Sequence, residues 1–177
     1  MFDLDEFIKE CEQALQENDS RRAVREALDR TVAEPAAVAD ALEHDRAGLN
    51  LLHRSDTLTI LNVVWAPGMV LQPHEHRMWA AIGIYAGQED NAFFRRDGET
   101  ITPSGGKELR ETDVLMLGDD AIHSVTNPRR SHTGAIHVYG GDFVSTPRSE
   151  WDSVTMTERP YDYERILRQF EEANRSL

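Results

Sequence analysis

From Leu49 onwards the chain is a succession of short segments rich in Val, Ile, Thr and aromatic residues, each ended by a turn signal. Candidate strands cover 57–65, 78–85, 92–96, 99–102, 114–117 and 132–139. Asp97-Gly98 has the composition of a tight hairpin turn, and Ser104-Gly105-Gly106 predicts a further hairpin connection. Because no helical pattern separates these segments, they do not form a parallel α/β sheet. The pattern predicts a mainly β sandwich or barrel.

Helical patterns flank this β region on both sides. The first 46 residues predict three helices, of which the first begins after Asp3 and carries Cys11 on its apolar face. A closing helix is predicted around residues 163–170. We therefore expect a single domain over residues 1–177, with a helical segment at 1–46, a β-barrel at 47–147 and a C-terminal extension with a helix at 148–177.

The charge balance restricts the classes of partner. The chain has 32 acidic and 19 basic residues and a net charge of −13, whereas nucleic-acid binding needs clustered Lys and Arg, so no nucleic-acid partner is expected. No apolar run is long enough for a membrane span, and the acidic start lacks the basic region of a signal peptide. We therefore expect a cytoplasmic protein without a membrane partner. The single cysteine excludes an internal disulfide, which leaves imidazoles and carboxylates for chemistry at neutral pH.

The stretch 68–76, Gly-Met-Val-Leu-Gln-Pro-His-Glu-His, carries the most specific chemical signal. On an extended chain His74 and His76 lie on the same side, so both can bind one cation. His123 follows 47 residues later beside another candidate strand. Three neutral imidazoles hold a metal and leave coordination positions open. The sequence predicts a metal site here, and the alternative is three histidines satisfied by hydrogen bonds.

These motifs resemble those of the cupin superfamily and, within it, the cysteine dioxygenase-like branch. Gly-x5-His-x-His lies at 68–76, His-x3-Asn at 123–127, and Ala-Ile-His-Val-Tyr at 135–139 is similar to the Ser-x-His-x-Tyr strand of thiol dioxygenases. The likeness covers roughly residues 49–143. It implies a cupin barrel, that is, an RmlC-like jelly roll or double-stranded β-helix, with N-terminal helices and a C-terminal helix.

The resemblance also implies a function. Fe(II) would be held by His74, His76 and His123, with Zn, Ni or Mn as alternatives because three histidines do not choose the metal. Ala80 stands where many cupins carry a fourth, carboxylate ligand, so the expected site is neutral. The expected activity is that of a non-haem iron(II) dioxygenase oxidising a small thiol acid of the cysteine or 3-mercaptopropionate type to its sulfinic acid. The small molecule and dioxygen are then the expected partners.

His137 and Tyr139 share one face of their strand, so a hydrogen-bonded pair over the metal is geometrically possible. By resemblance, Tyr139 would orient oxygen or transfer a proton. The alternative is a buried pair whose members satisfy one another. Ala135 replaces the family's serine, which leaves the outer end of this relay without its hydroxyl. Ala81 stands near the position at which animal cysteine dioxygenases carry a cysteine that cross-links to the tyrosine.

The family uses an arginine to hold the substrate carboxylate. Arg54 is the nearest counterpart in the sequence, and Arg95 and Arg96 compete with it, although strand alternation turns only one of those two inward. We expect Arg54 or Arg95 to bind the substrate, with a solvated surface position as the alternative for each.

Two other functions stay open at this point. One is a non-oxidative metal cupin, an isomerase or decarboxylase, and the other is a non-catalytic cupin that binds a ligand. Alanine at position 135 keeps both alternatives open. Exposed barrel edges also make a homodimer a reasonable expectation.

Overall fold

The computed structural model describes residues 1–177 and is mainly β, with helices at both ends. The helices are α1 (Leu4–Ala14), α2 (Ser20–Val32), α3 (Pro35–Ala41) and α4 (Tyr163–Arg175). The strands are β1 (Gly48–Arg54), β2 (Thr59–Trp65), β3 (Val70–Glu75), β4 (Ala80–Ala86), β5 (Gln88–Asp97), β6 (Thr100–Arg110), β7 (Val114–Leu117), β8 (Ile122–Thr126), β9 (Thr133–Tyr139), β10 (Ser149–Trp151) and β11 (Glu158–Pro160).

The strands form two antiparallel sheets. The first sheet has the order β1-β2-β9-β4-β7, and the second has the order β11-β10-β3-β8-β5-β6. Between β2 and β9 the chain passes repeatedly from one sheet to the other, so that β2, β4, β7 and β9 face β3, β5, β6 and β8. This winding is the double-stranded β-helix of a jelly-roll barrel, and the predicted fold is confirmed.

The first sheet is covered on both faces, which explains why β2 and β9 are buried along their whole length. Its inner face contributes Leu61, Ile82 and other apolar residues to the core between the sheets. Its outer face packs against α1–α3. Cys11 lies in this outer layer with no exposed surface, and burial raises the pKa of its thiol to about 12. A structural role for this thiol follows, because the reactive thiolate is disfavoured.

The predicted helices begin where the sequence places their caps. The carboxylates of Asp3 and Asp19 accept hydrogen bonds from backbone N–H groups in the first turns of α1 and α2. Pro35 occupies the first turn of α3, where its missing N–H costs nothing. No helix in the structure has both the length and the apolar character that crossing a membrane would require.

The predicted hairpin connection at Ser104-Gly105-Gly106 is wrong, because these residues lie inside β6. Gly105 pairs with Phe93 and Gly106 with Ala92 of β5, and the register shifts next to them as in a β-bulge. Gly105 has a φ of +155°, and a Cβ at Gly106 would stand 3.0 Å from the Asn91 carbonyl oxygen. The glycines therefore permit a bulge and a close strand approach rather than a turn.

The second sheet also includes two strands from the C-terminal extension. Glu150 of β10 pairs with His74 of β3, and β11 pairs with β10. The extension thus lies beside the strand that carries the His-x-His motif.

Candidate metal centre

The three histidines of the predicted metal site come together in the barrel. His74 on β3 lies directly opposite His123 on β8 in the strand register, and His76 follows the end of β3. The His76 Nε2 atom lies 3.2 Å from Nε2 of His74 and 3.3 Å from Nε2 of His123. All three side chains are buried.

The spacing of these nitrogens fits a bound cation. Two nitrogens each about 2.1 Å from a metal lie about 3.0 Å apart at a right angle and about 3.4 Å apart at a tetrahedral angle. The Nδ1–H of His74 donates to the Gln72 carbonyl oxygen at 3.0 Å, and that of His123 donates to Oδ1 of Asn91 at 2.6 Å. These bonds leave both Nε2 atoms unprotonated and facing one point, so the residues can hold a metal ion there.

Burial keeps the three imidazoles in the neutral form that binds metals. It lowers the pKa of His74 to about 4, and it lowers the pKa values of His76 and His123 well below their ordinary value. For His76 the neighbouring His123 and His74 act in the same direction. The triad is therefore ready to bind a cation at neutral pH without first losing a proton.

We expect the metal-free protein to lose stability as the pH falls from about 6.5 to about 4. The pKa of His74 is lower in the folded chain than in the unfolded chain, so the unfolded chain binds more protons within this window. The free energy of unfolding then falls by up to about 1.4 kcal/mol per pH unit for each such histidine. Thermal unfolding in chelator at pH 7.5, 6.5, 5.5 and 4.5 measures this slope. His74→Gln should make it shallower, and an unchanged slope in that variant would contradict the assignment.

The structure brings His137 and Tyr139 to the same cavity as the three histidines. Both lie on β9 of the first sheet, and His137 Nδ1 is 2.9 Å from the Tyr139 hydroxyl. The Tyr139 ring meets the His76 ring edge to face at a centroid distance of 5.0 Å. Burial raises the pKa of Tyr139 well above its ordinary value, so its phenol is protonated at neutral pH.

Glu89 completes this relay, and sequence reasoning missed it. Its carboxylate is fully buried, and Oε2 accepts hydrogen bonds from Trp65 Nε1 at 2.8 Å and from His137 Nε2 at 3.3 Å. Oε1 accepts from Asn91 Nδ2 at 3.0 Å. Burial acts to raise the pKa of Glu89, but the neighbouring His137 and these hydrogen bonds outweigh it and lower the pKa below its ordinary value. An ionised carboxylate thus occupies the outer end of the relay.

The structure does not bring Arg54 or Arg95 to the cavity. Arg54 donates two hydrogen bonds to the Asp142 carboxylate, at 2.9 and 2.8 Å, and a third to Ser145. Arg95 is exposed and points toward Thr102. Arg96 lies between Glu75 and Glu158. The guanidinium groups of all three are therefore directed to other partners.

Arg148 is the arginine beside the cavity. It is only 7% exposed, and its guanidinium lies 4.2 Å from the ring centroid of Phe143 and 3.8 Å from that of Tyr161, two residues that line the cavity. Nη1 donates to the carbonyl oxygens of Phe143 and Thr146, whereas Nε and Nη2 are buried without a partner. These two nitrogens are therefore free to donate to an anionic ligand.

The cavity itself is small and mostly apolar. Its volume is about 20 Å³, which is room for about one water molecule. Its lining consists of the triad, the relay pair and apolar or aromatic residues: Leu49, Val63, Trp65, Leu71, His74, His76, His123, Val125, His137, Tyr139, Phe143 and Tyr161. A metal ion fits this space, whereas a larger ligand requires the lining side chains to move.

No protein family model matches the chain. Among solved structures it is similar to a cupin superfamily protein from Desulfitobacterium hafniense DCB-2, with 19% identity over 57% of this chain and 83% of that chain and a TM-score of 0.44. It is also similar to an RmlC-like cupin family protein from Methanocaldococcus jannaschii, with 11% identity over 57% and 85% of the two chains and a TM-score of 0.46.

A third similar structure is recombinant oxalate oxidase in complex with glycolate. The identity is 15%, the match covers 48% of this chain and 42% of that chain, and the TM-score is 0.41. The chain thus spans less than half the length of that protein. These similarities assign no function to this chain.

Proposed function

We propose that the protein is a mononuclear non-haem iron(II) dioxygenase that oxidises a small thiol acid to its sulfinic acid. The observation that supports this function is the meeting of three neutral imidazoles and a tyrosine relay around one small cavity, with a buried guanidinium packed on two rings of its lining. Iron bound by His74, His76 and His123 would supply coordination of the thiolate and activation of dioxygen. The reaction R–SH + O2 → R–SO2H places both oxygen atoms on sulfur and needs no external reductant.

Arg148 binds the substrate carboxylate in this proposal. Its Nε–H and one Nη2–H can donate in parallel to the two oxygens of one carboxylate, which is the strong bidentate arrangement. The rings of Phe143 and Tyr161 and the carbonyl oxygens that accept from Nη1 hold the guanidinium plane in place. The carboxylate of the thiol acid would then lie at Arg148 and its sulfur at the histidines, after lining side chains move to admit the substrate.

Tyr139 and His137 manage the thiol proton. The phenol donates its O–H to Nδ1 of His137, which leaves the lone pairs of the Tyr139 oxygen free to accept a proton from the substrate. As that proton arrives, the phenolic proton passes to His137, and the Glu89 carboxylate stabilises the resulting imidazolium. The proton thus stays in the barrel until the product leaves.

Oxygen consumption by the iron-loaded protein tests this function. With 3-mercaptopropionate or cysteine we expect one dioxygen consumed per sulfinate formed. We expect little with cysteamine, which lacks the carboxylate that Arg148 would bind. The zinc-loaded protein is the control and should be inactive, because zinc does no redox chemistry.

The same measurement separates the alternatives. Tightly bound iron without oxygen consumption for any thiol would contradict the dioxygenase and favour a non-oxidative metal cupin or a ligand-binding cupin. A native zinc content measured by elemental analysis would favour the same alternatives, and a native nickel or manganese content would favour the non-oxidative enzyme.

A further inference from the structure

We propose that Glu89 is the positioning residue of this centre: one buried carboxylate orients the His137–Tyr139 pair and, through Asn91, the metal ligand His123. The first branch runs from Glu89 to His137 and Tyr139, and it rests on the proposed function because it concerns the proton chemistry at Tyr139. The second branch runs from Glu89 through Asn91 to His123, and it requires only that the triad binds a metal.

The first branch fixes the tautomer of His137. A carboxylate only accepts hydrogen bonds, so the 3.3 Å contact with Glu89 requires the proton on Nε2 of His137. Nδ1 is then the acceptor for the Tyr139 phenol at 2.9 Å. Without the carboxylate, the tautomer with Nδ1–H becomes accessible, and Nδ1 would donate to the tyrosine oxygen. That reversal would remove the base that takes the phenolic proton.

The second branch fixes the amide of Asn91. An amide has one accepting oxygen and one donating nitrogen, and the nitrogen of Asn91 donates to Oε1 of Glu89 at 3.0 Å. The amide oxygen therefore faces Nδ1 of His123, at 2.6 Å. This contact keeps Nε2 of His123 unprotonated and directed toward the other two imidazoles. If the amide flipped, its NH2 group would meet the ring N–H of His123.

The strand arrangement explains why one residue reaches both branches. Glu89 and Asn91 alternate on β5 and therefore share its inward face, and β5 pairs with β8, which carries His123. Trp65 and His137 lie on β2 and β9 of the opposite sheet and both donate to Oε2 of Glu89. The carboxylate thus joins the two sheets at the level of the metal site.

The three partners of Glu89 are all N–H donors. A glutamine at this position has nearly the same shape, but its NH2 group would face one of those donors. Glu89→Gln therefore tests the charge and the accepting capacity of the residue with little change in packing. Glu111→Gln is the control, since Glu111 is exposed and accepts from the backbone N–H of Gly87, the residue just before the same strand.

Nitrogen-15 NMR of the histidine rings in the metal-free protein reads the first branch directly. In the wild type and in Glu111→Gln we expect the Nε2–H tautomer of His137, with its signal assigned by comparison with His137→Gln. In Glu89→Gln we expect a shift toward the Nδ1–H tautomer. A residue that merely filled space would leave the tautomer unchanged.

Competition titration with Zn(II) tests the second branch by measuring the metal affinity of each variant. We expect Glu89→Gln and Asn91→Ala each to weaken Zn(II) binding by roughly 10- to 100-fold, the range for groups that orient metal ligands. Asn91→Ala should leave the His137 tautomer unchanged, because it breaks only one branch. If Glu89→Gln does not fold, Glu89→Asp keeps the charge but withdraws the carboxylate by one methylene, and it should produce both changes at smaller size.

A folded Glu89→Gln variant with both the wild-type zinc affinity and the wild-type His137 tautomer would overturn the proposal, because the glutamine NH2 group must face the donors of at least one branch. Both measurements are made without turnover, so they are independent of the reaction. A wild-type protein that oxidises no thiol, but whose Glu89 variant shows both changes, would end the dioxygenase proposal and leave the role of Glu89 at the metal site standing.

Discussion

His123→Ala is expected to lower the affinity of the protein for Fe(II), Co(II) and Zn(II) by at least about 100-fold, because loss of a ligand costs more than loss of a group that orients one. The two imidazoles that remain, His74 and His76, offer only two nitrogens, 3.2 Å apart. The substitution also removes the ring N–H that donates a hydrogen bond to the Asn91 oxygen. Competition with a chromophoric chelator measures the affinity, and elemental analysis of the purified variant measures the retained metal.

His132→Ala is the matched control for this experiment. His132 is half-buried just before β9 and does not belong to the triad, so its loss should leave metal affinity unchanged. Circular dichroism in the presence of chelator establishes that His123→Ala keeps the barrel. If the folded variant still holds metal at the wild-type affinity, the three histidines are not the ligands.

Most of the triad could be predicted from the sequence because the motif that marks it spans only three residues. Two histidines separated by one residue share a face of any extended chain, so His74 and His76 needed only the prediction of a strand. The same alternation places His137 and Tyr139 together on β9. The structure adds what alternation does not specify, namely that β8 pairs with β3 in the register that sets His123 opposite His74.

Glu89 could not be found in this way because its partners lie far away in the chain, and Arg148 could not because it lies in an irregular segment before β10. In the sequence, Gln88-Glu89-Asp90-Asn91 after a glycine has the composition of a polar turn. The partners Trp65 and His137 are 24 and 48 residues away from Glu89. The one available signal was the alternation of Glu89, Asn91 and Phe93, which would share an inward face if the strand began at Gln88.

The strands likewise divide into those that the sequence predicts and those that depend on distant pairing. Strand β7 was predicted at its observed bounds, since its apolar run ends at a clear turn signal. Strand β6 is far longer than predicted, because a glycine-rich bulge has the composition of a turn. The three-residue strands β10 and β11 carry too few residues for any periodicity, and only pairing with β3 and with one another defines them.

Arg148→Met is expected to lower kcat/KM for 3-mercaptopropionate by about 100-fold, mostly through a higher KM, since hydrogen bonds to charged groups contribute about 1.5–3 kcal/mol. Methionine keeps an unbranched chain up to about the position of Nε, but it removes the guanidinium that lies over the rings of Phe143 and Tyr161, with its charge and its donors. Oxygen-electrode kinetics on iron-loaded protein give both parameters. Cysteamine has no carboxylate, so its low activity should not fall further.

Arg54→Met is the matched control, because Arg54 is the arginine that the sequence favours but its guanidinium is paired with Asp142. We expect it to change kcat/KM by less than about threefold, as for a partly exposed ion pair. A large loss in Arg54→Met with none in Arg148→Met would return the carboxylate to Arg54. Arg148→Lys should not restore activity, because a single ammonium group cannot reproduce the parallel donors of Nε and Nη2, the two guanidinium nitrogens that lack a protein partner.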